Sequence, residues 1–250
     1  MNQTHPMDAS EVPSLKQLKI KIFSDGADID SIAEAHQAGV VKGFTTNPSL
    51  MAKAGITNYI AFAKEVLKIV TDLPVSFEVF SDDFEEMRYQ AQKIAELGSN
   101  VFVKIPVTNT KRASAAALIR ELHAGGIKLN VTAILSLRQV EEVFRALDAN
   151  VPAFVSVFAG RIADTGRDPL PLMQAALEMV RPKPKAELLW ASPREVFNLM
   201  QAEKMGCHVI TMTPELLTKA SKFGMNLEEL SLDTVKMFYS DAQKSGFKIA

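Results

Sequence analysis

The chain has 250 residues, of which 47% are hydrophobic and 23% charged, so it can form one large domain or two small ones with a sizeable core. Its 28 basic and 29 acidic residues give a net charge of −1, which excludes a global basic surface for nucleic acid and a polybasic membrane attachment. Cys207 is the single cysteine, so no intramolecular disulfide can form, and a reducing, cytoplasmic location is expected.

Polar residues dominate the start of the chain. Residues 1–16 are expected to form a flexible N-terminal extension, without the apolar segment of a signal peptide. No apolar stretch approaches the roughly 20 residues that a membrane span needs, so no membrane partner is expected.

Beyond this extension, short segments rich in Val, Ile and Phe alternate with segments whose apolar residues recur at helical spacing. The short segments predict strands buried on both faces, at residues 19–24, 43–46, 75–80, 101–107, 128–133, 154–157, 188–191 and 209–212. The longer segments predict helices that include residues 84–97, 113–124, 137–147, 170–180 and 194–205. Ser136, Asp168 and Ser192 are expected to cap helix N-termini.

This alternation predicts an α/β fold with a single (β/α)8 TIM barrel over residues 17–226. A doubly wound open sheet is the alternative. Residues 227–250 are expected to add a C-terminal helix that packs on the barrel or on a neighbouring subunit. A homo-oligomer is therefore expected.

Lys104 lies in the middle of the apolar segment 101–107, an unusual place for an ammonium group. A buried charge without a partner is costly, and burial favours the neutral amine of a lysine. A neutral amine is a nucleophile that forms Schiff bases with carbonyl carbons. The alternatives are a lysine that reaches solvent from a strand end and one that pairs with a carboxylate.

Polar side chains occur in or just after seven of the eight predicted strands. In a parallel barrel the carboxyl ends of the strands open on one face, and that face carries the active site. The residues expected there are Asp25, Thr45, Asn47, Glu78, Lys104, Asn130, Thr132, Ser156, Phe158, Arg161, Ser192 and Arg194. Taken singly, each has a structural alternative, such as a helix cap for Asp25, a turn at Asn47 or a surface charge for either arginine.

Six short motifs follow one another along nearly the whole chain after the extension. They are Ser24-Asp25-Gly26-Ala27-Asp28, Thr45-Thr46-Asn47-Pro48-Ser49, Val103-Lys104-Ile105-Pro106, Asn130-Val131-Thr132, Phe158-Ala159-Gly160-Arg161-Ile162 and Ala191-Ser192-Pro193-Arg194. In this order and spacing the chain resembles the transaldolase family, in the short form related to fructose-6-phosphate aldolase. The family's aldolase members resemble this chain but carry Gln in place of Glu78 and Tyr in place of Phe158.

The resemblance implies catalytic roles for four residues. Lys104 forms the Schiff base, and Asp25 is the acid and base of C3–C4 cleavage. Glu78 and Thr132 hold a catalytic water. The residues expected to bind substrate are Thr45, Asn47, Asn130, Ser156, Phe158, Arg161, Ser192 and Arg194, with the two arginines on the terminal phosphate.

These roles describe a transaldolase that moves a dihydroxyacetone unit from fructose 6-phosphate or sedoheptulose 7-phosphate to an aldose phosphate. An aldolase that releases dihydroxyacetone and a transaldolase for 6-deoxy-6-sulfofructose stay open, since arginines bind sulfonate as readily as phosphate. A non-catalytic sugar-phosphate binding protein is a third alternative, against which the intact Lys104, Asp25 and Glu78 argue. No cofactor and no metal are expected, because the four histidines lie apart without ligand spacing.

Overall fold

Eight parallel strands close into a barrel in chain order, with the last strand paired to the first. The computed structural model describes residues 13–248. The strands are β1 (Lys21–Asp25), β2 (Phe44–Thr45), β3 (Val75–Glu78), β4 (Val101–Pro106), β5 (Leu129–Ile134), β6 (Ala153–Val157), β7 (Ala186–Trp190) and β8 (Val209–Met212). This closure confirms the predicted (β/α)8 barrel and excludes the open sheet.

Helices follow the strands and cover the outside of the barrel. They are α1 (Ile29–Ala38), α2 (Pro48–Lys53), α3 (Tyr59–Ile69), α4 (Phe84–Ala95), α5 (Ala116–Ala124), α6 (Leu137–Ala146), α7 (Ala159–Ala163), α8 (Leu170–Val180), α9 (Phe197–Lys204), α10 (Pro214–Lys219) and α11 (Leu227–Ser245). Short 3₁₀ turns lie at Leu15–Gln17 and Ala220–Lys222. Within residues 13–248, no helix is both long and apolar enough to cross a membrane.

One of the three predicted helix caps is present, one is displaced by a residue and one is wrong. Ser136 accepts a hydrogen bond from the Gln139 backbone at the start of α6. The N-cap residue of α8 is Pro169, one position after Asp168, although the Asp168 carboxylate accepts a hydrogen bond from the Leu170 backbone. Ser192 caps no helix, because α9 begins only at Phe197. Instead Ser192 has a φ of 60°, in the left-handed region that residues with a side chain seldom adopt. The predicted extension, residues 1–16, falls largely outside the described residues.

Aromatic side chains fill the barrel beneath the carboxyl ends of the strands. Phe154 on β6 meets Phe23 edge to face at a centroid distance of 5.3 Å and Phe102 at 4.5 Å. Gly43, just before β2, leaves room for this layer, since a Cβ there would lie 2.5 Å from the Phe23 ring. The aromatic layer therefore fills the barrel interior directly below the carboxyl ends of the strands.

The C-terminal helix α11 presents apolar side chains to solvent in this single chain. Leu230 and Thr234 are half-buried, and the other residues of the helix are exposed. Val235 and Phe238 are among its exposed apolar residues. The helix does not bury them against the barrel, and its packing on a neighbouring subunit stays a prediction.

Candidate active site

A cavity of about 620 Å³ opens at the carboxyl ends of the strands, above the aromatic layer. Every predicted site residue lines it. These are Asp25, Thr45, Asn47, Glu78, Lys104, Asn130, Thr132, Ser156, Phe158, Arg161, Ser192 and Arg194. The barrel thus brings together side chains that are up to 169 positions apart in the sequence (from 25 to 194). Their location follows from the structure, while their individual roles stay predictions.

Lys104 is the buried cation of this cavity, with only 7% of its surface exposed. Its Nζ lies 2.9 Å from Glu78 Oε2 and donates a hydrogen bond of 3.1 Å to the carbonyl oxygen of Thr46. The pair forms because Glu78 and Lys104 are register partners on the adjacent strands β3 and β4. A carboxylate at this distance can receive a proton from the ammonium and leave a nucleophilic amine.

Asp25, at the end of β1, is held by a hydroxyl from the neighbouring strand. Thr45 Oγ1 donates a hydrogen bond of 2.7 Å to Asp25 Oδ1. Burial raises the pKa of the Asp25 carboxyl, and the Lys104 ammonium and the Thr45 hydrogen bond oppose that rise. A carboxyl with a raised pKa in a cavity is suited to take and return a proton near neutral pH.

Three polar side chains form a buried chain of hydrogen bonds on β3, β5 and β6. Ser156 Oγ donates to Asn130 Oδ1 at 2.6 Å, and Asn130 Nδ2 donates to Ser76 Oγ at 3.0 Å. This chain fixes the Asn130 amide. Thr132 lies two residues further along β5, and its buried Oγ1 has no hydrogen-bond partner among residues 13–248. A buried hydroxyl of this kind is suited to bind a water molecule or a substrate group.

Asn47 and Pro48 form the N-terminus of α2 rather than an isolated turn. The Asn47 side-chain oxygen accepts a hydrogen bond of 2.9 Å from the Leu50 backbone, and Pro48 occupies the first turn. The Asn47 amide nitrogen is not used in this cap. Asn47 therefore combines the structural role with a donor group in the wall of the cavity.

The two arginines at the rim differ in their surroundings. The Arg161 guanidinium lies over the Phe158 ring, with its Cζ 5.3 Å from the ring centroid. Arg194 is held by Asp164: its Nε donates to Asp164 Oδ1 at 3.0 Å, and its second guanidinium nitrogen contacts Asp164 Oδ2. The charge of Arg194 is thus partly balanced by the Asp164 carboxylate, a contact that the sequence did not predict.

Unusual backbone shapes this side of the cavity. A Cβ on Gly160, in α7, would lie 1.6 Å from the carbonyl oxygen of Ser192, so only glycine fits between the two segments. Ser192 itself has a positive φ of 60°. Arg161 directly follows Gly160, and Arg194 lies two residues after Ser192, so this close approach holds both arginines on the same side of the cavity mouth.

Several residues of the site were not predicted from the sequence. Thr211 on β8 lines the cavity and shares a hydrogen bond of 2.7 Å with Thr45. Tyr59 on α3 donates a hydrogen bond of 2.7 Å to the backbone oxygen of Glu78, and Asp164 binds Arg194. The signal for Thr211 was present, since it is the polar residue of an otherwise apolar eighth strand. Its partner could be seen only once the barrel had closed.

The closed parallel barrel, with a charged cavity at the carboxyl ends of its strands, defines the class of (β/α)8-barrel enzymes. The chain belongs to the transaldolase/fructose-6-phosphate aldolase family, whose model matches residues 22–249. Within the described part of the chain, no three His, Cys, Asp or Glu side chains are grouped closely enough to hold a metal ion.

Curated relatives cover most of the chain. A "probable transaldolase" of Thermoanaerobacter sp. (strain X514) is 35% identical over 92% of this chain and 100% of the relative. One of Heliobacterium modesticaldum (strain ATCC 51547 / Ice1) is 36% identical over 81% and 90%. A crystal structure of a "putative phosphonomutase" from Burkholderia cenocepacia J2315 superposes with a TM-score of 0.57 at 16% identity, over 88% of this chain and 96% of that one. At this identity the likeness concerns the barrel fold alone.

Proposed function

We propose that this protein is a transaldolase that transfers a dihydroxyacetone unit between sugar phosphates through a Schiff base on Lys104. The buried pair of Lys104 and Glu78, in the wall of a cavity that also holds Asp25, is the observation that carries this proposal. Membership of the transaldolase/fructose-6-phosphate aldolase family supports it. Fructose 6-phosphate or sedoheptulose 7-phosphate is the proposed donor.

The first step forms the covalent intermediate. Glu78 takes a proton from Lys104, whose neutral amine then attacks the C2 carbonyl carbon of the ketose. The carbinolamine loses water, and a protonated imine remains between Lys104 and C2. A water molecule bound between Glu78 and the unpaired hydroxyl of Thr132 carries protons to and from the leaving oxygen.

The second step breaks the C3–C4 bond. Asp25 takes the proton of the C4 hydroxyl, the bond breaks, and its electron pair moves into the protonated imine to give an enamine. The aldose phosphate leaves, and the enamine stays attached to Lys104. The enamine attacks an acceptor aldehyde, and Asp25 returns its proton to the new C4 hydroxyl, which leaves the new ketose bound to Lys104 as a protonated imine. Water then adds to C2, the bond between C2 and the lysine nitrogen breaks, and the ketose product and the free amine of Lys104 are released.

The arginines bind the anionic end of the substrate, and their contributions are expected to differ. Arg161→Ala should raise KM for a phosphorylated ketose about ten- to hundredfold, as expected when a charge-assisted contact worth about 1.5–3 kcal/mol is lost. Arg194→Ala should have a smaller effect, because Asp164 already balances the Arg194 charge. Asp164→Asn should lower KM. Transfer from the unphosphorylated ketose fructose to unphosphorylated glyceraldehyde should change little in all three variants.

Steady-state kinetics on both substrates checks these effects. Arg181→Ala is the matched control, since Arg181 is exposed at the end of α8 and pairs with Glu178. Equal losses on the phosphorylated and unphosphorylated substrates would show that Arg161 and Arg194 act on the fold rather than on the anion. The same comparison with 6-deoxy-6-sulfofructose tests the sulfonate alternative.

Transfer rather than release is proposed because Phe158, beside the cavity, has no hydroxyl group. The wild-type protein is expected to consume fructose 6-phosphate slowly alone and rapidly with erythrose 4-phosphate added. Phe158→Tyr introduces a phenol that can direct a proton to the enamine, so the variant should release free dihydroxyacetone without an acceptor. Product analysis with and without the acceptor measures the ratio of the two outcomes.

Phe197→Tyr serves as the control, because Phe197 is exposed on α9 and does not line the cavity. This variant should keep the wild-type ratio. If the wild-type protein releases dihydroxyacetone equally fast with and without acceptor, it is an aldolase instead.

A further inference from the structure

Thr211, on the last strand of the barrel, is a buried polar side chain that the proposed steps do not use. It is 6% exposed, and its side chain lies in the wall of the cavity. Its Oγ1 lies 2.7 Å from Thr45 Oγ1, and the two residues are 166 positions apart in the sequence. β8 and β2 flank β1 on opposite sides, so this contact passes across the strand that carries Asp25.

The direction of these hydrogen bonds follows from proton counting. A threonine hydroxyl has one proton to donate and two lone pairs that accept. Thr45 Oγ1 donates its proton to Asp25 Oδ1 at 2.7 Å. Thr211 must therefore be the donor in its bond with Thr45. The result is a directed chain from Thr211 to Thr45 to the carboxylate.

Few groups contact the Asp25 carboxylate directly, so the hydrogen bond from Thr45 can determine its orientation. Among the described residues, Thr45 is the side chain that hydrogen-bonds the Asp25 carboxylate. Lys104 attracts this carboxylate but lies 2.9 Å from Glu78, with which it forms its ion pair. The charged side chains that line the same cavity are Asp25, Lys53, Glu78, Lys104, Arg161 and Arg194. Hydrogen bonds in a chain polarise one another, so a donor to Thr45 strengthens the bond from Thr45 to Asp25.

We propose that Thr211 is a positioning residue that acts on Asp25 through Thr45. By donating to Thr45, it keeps that hydroxyl turned toward Oδ1 of Asp25, which stabilises the carboxylate and leaves Oδ2 to take the proton of the substrate C4 hydroxyl. This inference rests on the proposed function, in which Asp25 receives that proton as the C3–C4 bond breaks. Thr45 is then also a positioning residue rather than a direct substrate contact.

The kinetic test compares Thr211→Val, which removes the hydroxyl at nearly constant volume, with Thr211→Ser, which keeps it. Thr211→Val should lower the rate of ketose cleavage about two- to tenfold, the effect expected for one hydrogen bond, at unchanged KM. The acidic limb of its pH–rate profile should move to higher pH, because the carboxylate form of Asp25 is less stabilised. Thr211→Ser should behave as the wild type. Equal losses in both variants, or none in Thr211→Val, would overturn the proposal.

A double-mutant cycle tests whether Thr211 acts through Thr45. If it does, Thr45→Val and Thr45→Val/Thr211→Val should cleave the ketose at the same rate, because the chain is already broken. Additive losses would show that Thr211 acts independently and would contradict the proposal.

A titration separates this inference from the proposed function, since it requires no turnover. The ¹³C signal of the Asp25 carboxyl is followed by NMR against pH in the unliganded wild-type protein and both Thr211 variants. A higher Asp25 pKa in Thr211→Val alone supports the positioning role, even if no ketose is cleaved. The same pKa in all three proteins overturns that role, even if the wild type is an active transaldolase.

Discussion

Lys104→Met is expected to abolish ketose cleavage and transfer, with a loss on the order of 10⁴-fold or more, as for removal of a catalytic nucleophile. The physical reason is that the thioether cannot form the protonated imine that accepts the electrons of the breaking bond. Incubation with fructose 6-phosphate, followed by borohydride reduction and peptide mass spectrometry, should place the adduct on Lys104 in the wild type. The variant should carry no adduct.

A stability control is needed because Lys104→Met leaves Glu78 without its partner. The Glu78 side chain is only 18% exposed, and removal of one member of a largely buried pair costs about 3 kcal/mol or more. Lys104→Met/Glu78→Gln replaces the pair with two uncharged side chains and should recover part of the lost stability without recovering activity. An adduct on a different lysine of the wild type would contradict the assignment of Lys104.

Asp25→Asn is expected to lower the rate of ketose cleavage about 10²- to 10⁴-fold while raising thermal stability at neutral pH. The amide cannot take the proton of the C4 hydroxyl. It can still accept the hydrogen bond from Thr45, so the local structure should persist. The single substitution Asp25→Asn would then both raise thermal stability and lower the rate of ketose cleavage.

The sign of the stability change follows from the raised pKa of Asp25. A folded protein that holds this proton more tightly than the unfolded chain loses stability as pH rises from the usual aspartate range, near 4, through the raised value. An asparagine at position 25 does not ionise, so the variant does not lose stability through this residue as pH rises. The Tm of Asp25→Asn should therefore exceed that of the wild type at pH 7, and the difference should vanish at acid pH.

Asp28→Asn is a matched control for this prediction. Asp28 caps α1 by accepting a hydrogen bond from the Ser31 backbone. Hydrogen bonding from the Ser31 side chain and then from its backbone lowers the pKa of the Asp28 carboxyl. Its ionised form is thus favoured in the folded protein, so its replacement should not raise Tm at pH 7 and should leave activity intact. A Tm below the wild-type value for Asp25→Asn at pH 7 would mean that the Asp25 charge is stabilising.

The elements of the barrel could be predicted because each leaves a local pattern. The predicted and observed bounds of β8 agree, as do those of α8, since apolar periodicity and terminal residues identify both. β2 is shorter than the predicted range 43–46 and spans only Phe44–Thr45. The hydrogen bonds to neighbouring strands set where a strand ends, and the sequence of the strand alone does not show them. The cap predicted at Ser192 failed because a serine before a helical pattern does not reveal a left-handed backbone.

The candidate site was predictable to the extent that its residues lie at the carboxyl ends of strands. Which side chains bond to each other was not predictable in general. Pairing of Lys104 with a carboxylate was one of the alternatives that the sequence left open. The register of the adjacent strands β3 and β4 makes Glu78 that partner. The Thr45–Thr211 and Arg194–Asp164 contacts depend on closure of the barrel and on the close approach at Gly160, which no local pattern records.

The layer of Phe23, Phe102 and Phe154 closes the inner end of the cavity, so the cavity opens at the carboxyl ends of the strands. Substrates and products must therefore use the same opening. In the proposed reaction the first aldose phosphate has to leave through this opening before the acceptor can bind. The three-carbon fragment stays covalently attached to Lys104 in the meantime. Transfer should then follow ping-pong kinetics, with parallel reciprocal plots and with donor and acceptor each inhibiting the other's entry at high concentration.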